Sequence, residues 1–139
     1  MHLLDTDTLT HLHAGHPHVI ERIRQTDDPD IGITIITKIE LLRGRYDFLL
    51  KASTGDELLR AATWLRRSEE LIEQLLIVSL DEASAMLFDR LRTQPTLRKI
   101  GRADLLIASI CLANHAVLVT RNMRHFRVIP ALHLVNWVD

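Results

Sequence analysis

Residues 103–120 read ADLLIASICLANHAVLVT and contain one formally charged side chain, Asp104. Residues 103–113 are apolar on nearly every side of a helix, which predicts a helix buried at the centre of the fold. The β-branched run that follows, 117–120, predicts a strand. Because an acid at the start of an otherwise apolar helix needs a structural or chemical role, Asp104 is a candidate functional residue.

Four more runs rich in leucine or β-branched residues predict further strands on either side of this segment. The five predicted strands are 1–4, 31–35, 75–80, 117–120 and 132–135. Helical stretches separate them, including an exposed amphipathic helix at 56–74. Crossovers long enough to contain helices imply parallel strands, so we expect an α/β fold with a mostly parallel five-stranded sheet and helices on both faces. The absence of repeats and linkers predicts a single domain over residues 1–139.

Composition narrows the class of protein. The 139 residues include 17 basic and 18 acidic side chains, for a net charge of -1. This balance excludes a protein that coats nucleic acid through bulk charge. A single cysteine, Cys111, excludes a disulfide framework, and its apolar neighbours predict a buried thiol. With neither a secretory signal nor a run of 18 apolar residues in the sequence, we expect a cytoplasmic protein without a membrane span.

Polar side chains fall where three of the predicted strands end or the following helices begin. Asp5 follows the first strand, Glu40 lies in the first turn or so of the helix after the second, Asp104 opens the buried helix, and Asn122 lies two residues beyond the fourth strand. Because parallel strands end at one edge, where open α/β sheets bind ligands, these four side chains form a candidate site. Each also has a structural alternative: helix capping for Asp5, a favourable helix dipole for Asp104, a solvated first turn for Glu40 and a turn for Asn122.

Three acids gathered at one edge repel one another unless they share a proton or a cation. Magnesium prefers oxygen ligands, keeps several waters and is usually held by one or two carboxylates plus substrate phosphate. The donor set therefore favours Mg²⁺, for which Mn²⁺ can substitute, over Zn²⁺. The histidines at 11, 13, 16 and 18 suggest a zinc site less strongly, because spacings of two do not share a helix face.

Several blocks of the sequence resemble the PIN-domain ribonucleases, specifically the VapC-like toxins of bacterial toxin–antitoxin pairs. The blocks are LDTDTLT at 4–10, TIITKIELLRG at 34–44, IGRADLLIA at 100–108, LVTRNMRHF at 118–126 and VNW at 135–137. They occur in order and span nearly the whole chain.

The resemblance implies metal-dependent endonucleolytic hydrolysis of phosphodiester bonds in single-stranded or loop RNA. Asp5, Glu40 and Asp104 would bind the metal, and Asn122 would stand where many PIN nucleases carry an acid. Asp7 stays outside the metal set, and Arg102 replaces an acid of some relatives. Other candidate phosphate contacts are Lys99, Arg121 and Arg124.

The resemblance also implies partners. A cognate antitoxin would lay a segment across the active-site groove, with the predicted helix at 56–74 as one contact surface. The toxin would form a homodimer, or a higher toxin–antitoxin assembly.

Two alternatives remain open at this point. Asp5-Thr6-Asp7 is similar to the paired aspartates of haloacid-dehalogenase-type phosphatases, in which the first aspartate is the nucleophile. The chain could also be a catalytically inactive PIN-like binding module, although all three principal acids are present.

Overall fold

The computed structural model describes residues 1–139 and contains the five predicted strands. They are β1 (His2–Leu4), β2 (Ile31–Thr34), β3 (Leu76–Val78), β4 (Val117–Val119) and β5 (His133–Val135). Each is shorter than its hydrophobic run. The predicted end at 35 is wrong because Thr34 already caps the helix that follows, and the predicted end at 80 is wrong because β3 ends at Val78, three residues before the cap of the next helix at Asp81.

Seven α-helices connect or follow the strands. They are α1 (Thr6–His13), α2 (Pro17–Gln25), α3 (Ile35–Lys51), α4 (Gly55–Glu73), α5 (Glu82–Arg92), α6 (Arg102–Ala113) and α7 (Met123–Phe126), with a short 3-10 helix at Pro95–Leu97. The predicted amphipathic helix at 56–74 corresponds to α4, and the buried helix at 103–113 corresponds to α6. No helix is long and apolar enough to cross a membrane.

The sheet has the order β3-β2-β1-β4-β5, and every neighbouring pair is parallel. The prediction of an α/β fold is confirmed. The chain builds outward from β1 on one side as far as β3, and then returns to add β4 and β5 on the other side. The strand order therefore reverses between β1 and β4, where open α/β sheets form a crevice at their carboxyl edge.

Alternating side chains divide the core between the two faces of the sheet. Leu3 and Leu118 belong to a cluster of 14 buried residues that includes much of α6. Leu4 and Val119 belong to a second cluster of 7, which contains Leu9 of α1 as well as residues of α3 and α4. Helices therefore cover both faces, which explains why β1 and β4 carry apolar residues at consecutive positions rather than at alternate ones.

A close approach of two strands explains the glycine in the centre of the sheet. Gly32 of β2 pairs with Leu76 of β3, and a Cβ added at residue 32 would lie 2.1 Å from the Leu76 carbonyl oxygen. Any side chain here would push β3 away from the sheet.

Candidate active site at the carboxyl edge of the sheet

A cleft of about 460 Å³ lies at the switch point between β1 and β4. The four predicted site residues all line it, although they come from four separate segments of the chain. Its lining residues are Asp5, Thr6, Asp7, Glu40, Asp104, Ile107, Arg121, Asn122 and Phe126. The fold therefore brings the predicted acids to one place.

Asp5 directly follows β1 and caps α1. Its Oδ1 accepts a hydrogen bond of 2.8 Å from the amide of Thr8, so the capping alternative is correct for this residue. The residue is only 8% exposed. Burial is the main cause that raises the pKa of Asp5 above its usual value, against the lowering effect of hydrogen bonds from Thr120 and Thr8; the nearby charge of Asp7 adds to the rise.

Glu40 lies in the second turn of α3, one turn later than the sequence predicts, because Thr34 starts the helix earlier. Its Oε1 accepts a hydrogen bond of 2.5 Å from the hydroxyl of Thr6. This bond links α3 to the start of α1 and fixes the carboxylate beside Asp5. Thr6 was not among the predicted site residues, although its position next to Asp5 was a signal.

Asp104 is the third residue of α6, in the first turn, where the helix dipole favours a negative charge. Its Oδ2 lies 3.0 Å from Nε2 of His125, and the two side chains form a hydrogen bond. His125 belongs to α7, which is also anchored by the buried ring of Phe126. His125 was not among the predicted site residues.

Asn122 and Arg121 close the cleft on the side of β4. Asn122 lies three residues beyond the observed end of β4, and its backbone N–H donates a 3.0 Å hydrogen bond to the hydroxyl of Thr120. Arg121 is the one candidate phosphate contact that lines the cleft, and its Nε lies 3.2 Å from Oδ2 of Asp139. Lys99, Arg102 and Arg124 do not line the cleft, and their contacts with phosphate stay predictions. The guanidinium of Arg102 instead lies over the ring of Phe88, 5.8 Å from its centroid.

The ionisable side chains of the cleft do not form a complete metal-coordination shell by themselves. No three His, Cys, Asp or Glu side chains anywhere in the chain are close enough to hold a metal ion by themselves. The turn between α1 and α2 brings the rings of His11, His16 and His18 edge to face, with successive centroids 5.3 Å apart. None of these histidines lines the cleft, where the possible metal ligands are carboxylate, amide and hydroxyl oxygens.

Comparison with known proteins places these features in a family. Residues 2–132 match the PIN domain family. Over 143 aligned residues the chain is 28% identical to Ribonuclease VapC1 of Haemophilus influenzae, and the alignment covers 99% of this chain and 98% of that protein. It is 38% identical to Ribonuclease VapC2 of Rickettsia felis over 68 residues, or 48% of this chain and 51% of that protein.

Comparison of the fold with solved structures indicates the same family. The VapBC-1 structure from nontypeable Haemophilus influenzae superposes with a TM-score of 0.80 at 26% identity, covering 99% of this chain and 98% of that one. The sequence match and the shared fold agree over almost the full length, and the chain belongs to the PIN-domain family as a VapC-like member.

Proposed function

We propose that this protein is a magnesium-dependent endoribonuclease that acts as the toxin of a toxin–antitoxin pair. The observation that carries the proposal is the meeting of Asp5, Glu40 and Asp104 in one cleft, although 35 and 64 positions of the chain separate them in turn. The relatives named above are called ribonucleases, which supports RNA as the substrate.

The residues present fit Mg²⁺ in the way that this ion is usually held. All the donors facing the cleft are carboxylate, amide or hydroxyl oxygens, and Mg²⁺ commonly takes one or two carboxylates and completes its shell with water and substrate phosphate. A site of this type does not need three protein side chains that all contact the ion. The raised pKa of the buried Asp5 is also consistent with a carboxylate that gains from a neighbouring cation.

Each polar group then has a role. Asp5 and Asp104 would hold the ion, with Asp104 oriented by His125. When bound, Mg²⁺ supplies a more acidic water and neutralises charge on the phosphoryl oxygens. Glu40, fixed by Thr6, would accept the proton of the attacking water, and Asn122 would orient water or substrate through its amide.

Arg121 would contact a phosphate of the RNA. Its guanidinium is always charged, and the carboxylate that holds it, Asp139, lies on an exposed surface where a phosphate can compete for it. A single-stranded segment or loop suits such a cleft best, because the deep major groove of an A-form duplex hides the base edges.

An exposed apolar surface on α3 and α4 would contact the antitoxin. Leu50 is 81% exposed and Leu59 is 71% exposed, and Phe48 of α3 and Leu58 of α4 are also exposed. Exposed apolar side chains grouped on two adjacent helices mark interaction sites.

We also propose a homodimer or a higher assembly with the antitoxin. The neighbour from Haemophilus influenzae is a VapBC complex, which supports the antitoxin. The one free thiol, Cys111, is buried and supports the reducing cytoplasm as the compartment.

The phosphatase alternative has no support in the cleft. Phosphatases of the haloacid-dehalogenase type would need a lysine beside the nucleophile, and no lysine lines this cleft. The inactive binding module is distinguished by experiment.

The test is the incubation of a mixed RNA pool with the purified protein in Mg²⁺, in chelator, and with two variants. Asp5→Asn removes one cleft carboxylate. Asp81→Asn is the matched control, because Asp81 caps α5 by accepting the same 2.8 Å bond from the amide three residues ahead but does not line the cleft. We expect cleavage by the wild type and Asp81→Asn in Mg²⁺ only, and at least a hundredfold loss in Asp5→Asn. Equal cleavage in all conditions, or none by the wild type, would overturn the proposal.

A further inference from the structure

A second cavity lies at the opposite edge of the sheet from the candidate active site. Its volume is about 670 Å³. It is bounded by α5, by the C-terminal end of α6, and by the segments that enter β4 and β5, where Ala116 and His133 are lining residues. None of its lining residues belongs to the cleft that contains Asp5, Glu40 and Asp104.

The walls of this cavity have the character of a small-molecule site. Eight of the thirteen lining residues are hydrophobic, among them Leu87, Leu91 and Leu112. Ligand pockets are typically 300–1,000 Å³, mostly apolar, with a few convergent polar groups. The cavity meets each of these conditions.

Four polar side chains line the cavity, and none of them is acidic. They are Arg90, Gln94, His115 and His133. Arg90 carries a permanent positive charge, and the neighbouring Asp89 is paired with Arg92 instead. The local charge therefore favours an anion beside the apolar walls.

The backbone around the cavity is unusual in the same place. His115 (φ 51°) and Ala131 (φ 67°) are the two residues other than glycine with positive φ, and both line the cavity. His115 occupies the position just after the end of α6, where the amide of Ala116 bonds back to Cys111 and that of His115 to Leu112. The same motif at the end of α1 uses Gly15, the residue ordinarily found there. Histidine at this position places an imidazole at the cavity in a backbone conformation that glycine would adopt more easily.

We propose that this cavity binds a small carboxylate with an apolar body, with the carboxylate against Arg90 and the imidazole of His115 and the apolar part between α5 and α6. Apolar volume, the charge of Arg90 and a histidine at positive φ are three separate features of one location. The proposal is independent of the RNA-cleaving role argued above.

The experiment is a titration of the full chain with sodium octanoate, followed by amide chemical shifts in ¹H–¹⁵N spectra. We expect saturable shifts centred on Ala113, His115, Ala116 and Ala131, with little change at Asp5 or Asn122. Titration with 3-phenylpropionate distinguishes an aromatic from an aliphatic body, and octylamine tests the sign of the charge. Octylamine should bind at least tenfold more weakly than octanoate.

Two exposed alanines of α5 give a matched pair of variants. Ala83 lines the cavity, whereas Ala85 does not. Ala83→Trp should raise the Kd for octanoate at least tenfold, and Ala85→Trp should leave it within twofold. Arg90→Gln, an exposed change that does not alter the core, should raise the Kd at least threefold. The proposal fails if no saturable shifts occur at the cavity, if shifts centre on the apolar surface of α3 and α4, if both tryptophan variants bind alike, or if octylamine binds as tightly as octanoate.

Discussion

Replacing Asp5 by asparagine separates the two roles of this residue. The amide oxygen of asparagine can accept the bond from Thr8, and Asn and Asp are comparable at helix N-caps, so α1 should keep its cap. Apart from the second carboxylate oxygen, which becomes an NH₂ donor, the change removes only the charge. Because burial raises the pKa of Asp5, its ionised form destabilises the fold, and we expect Asp5→Asn without metal to be more stable than the wild type at neutral pH.

The pH dependence of this difference follows from the direction of the shift. Well below the usual aspartate pKa of 3.8 the carboxyl is protonated in both the folded and the unfolded chain, and its charge has no effect on stability. As the pH rises through 3.8 the unfolded chain loses its proton first, and the fold is progressively destabilised until the folded pKa is passed. The advantage of Asp5→Asn should therefore vanish in acid and be complete at neutral pH.

Metal binding should stabilise the wild type more than Asp5→Asn. An ion at ten times its Kd stabilises the folded state by RT ln 11, about 1.4 kcal/mol. At about 2.1 cal/mol/K per residue, a chain of 139 residues has an unfolding entropy of roughly 0.29 kcal/mol/K, so the wild-type Tm should rise by about 5 °C. Asp5→Asn should lose most of this rise.

The assay is thermal unfolding followed by the fluorescence of Trp64 and Trp137, in MgCl₂ and in NaCl of equal ionic strength. Asp81→Asn should show the full wild-type response, because it changes an equivalent cap outside the cleft. A full Mg²⁺ response in Asp5→Asn, or an equal loss in Asp81→Asn, would refute the assignment of Asp5 to a cation site.

Three further changes test the structure at other points. Thr6→Val removes the donor to Glu40 and should lower kcat on RNA at least tenfold with a Tm change below about 3 °C, whereas Thr6→Ser should restore it; equal rates for the two would contradict the role of the hydroxyl. Gly32→Ala should lower the free energy of unfolding in urea by about 3 kcal/mol, because its Cβ would meet the Leu76 carbonyl, whereas Gly44→Ala in α3 has open space and should gain about 0.5–1 kcal/mol. Cys111, whose pKa burial raises to about 12, should react with Ellman's reagent at pH 8 on the order of a hundredfold more slowly in the folded than in the urea-unfolded protein, and rapid labelling of the folded chain would contradict its burial.

The sequence was sufficient to predict the sheet because its inner strands β1 and β4 are covered on both faces and therefore carry consecutive apolar residues. It was less informative about where the strands end. Ile35 continues the apolar run of β2, but the Thr34 hydroxyl accepts from the amide of Thr37 and starts a helix there. A side-chain cap competes with strand extension at these points, and hydrophobicity alone does not detect it.

The candidate site was predictable to the extent that the backbone fixes it. Asp5 and Asp104 lie at strand and helix ends, and parallel topology alone brings such positions to one edge. The partners of these acids depend instead on side-chain packing. His125 reaches Asp104 only because the buried Phe126 anchors α7 at the cleft, and Arg102 points to Phe88 because of its position around α6. Neither contact follows from sequence spacing.

Two aspartates in equivalent local structure show what the site adds to a helix cap. Asp5 and Asp81 each accept a 2.8 Å bond from the amide three residues ahead. The pKa of Asp81 is lowered, mainly by its hydrogen bonds from Ser84, whereas the pKa of Asp5 is raised, mainly by burial and with a contribution from Asp7. Capping favours the ionised carboxylate in both, so the opposite direction at Asp5 comes from its surroundings in the cleft. A cap requires no such burial beside other acids. The unfavourable charge at Asp5 is instead the arrangement that a bound cation would relieve, which is the physical reason for assigning this residue to the chemistry of the cleft as well as to α1.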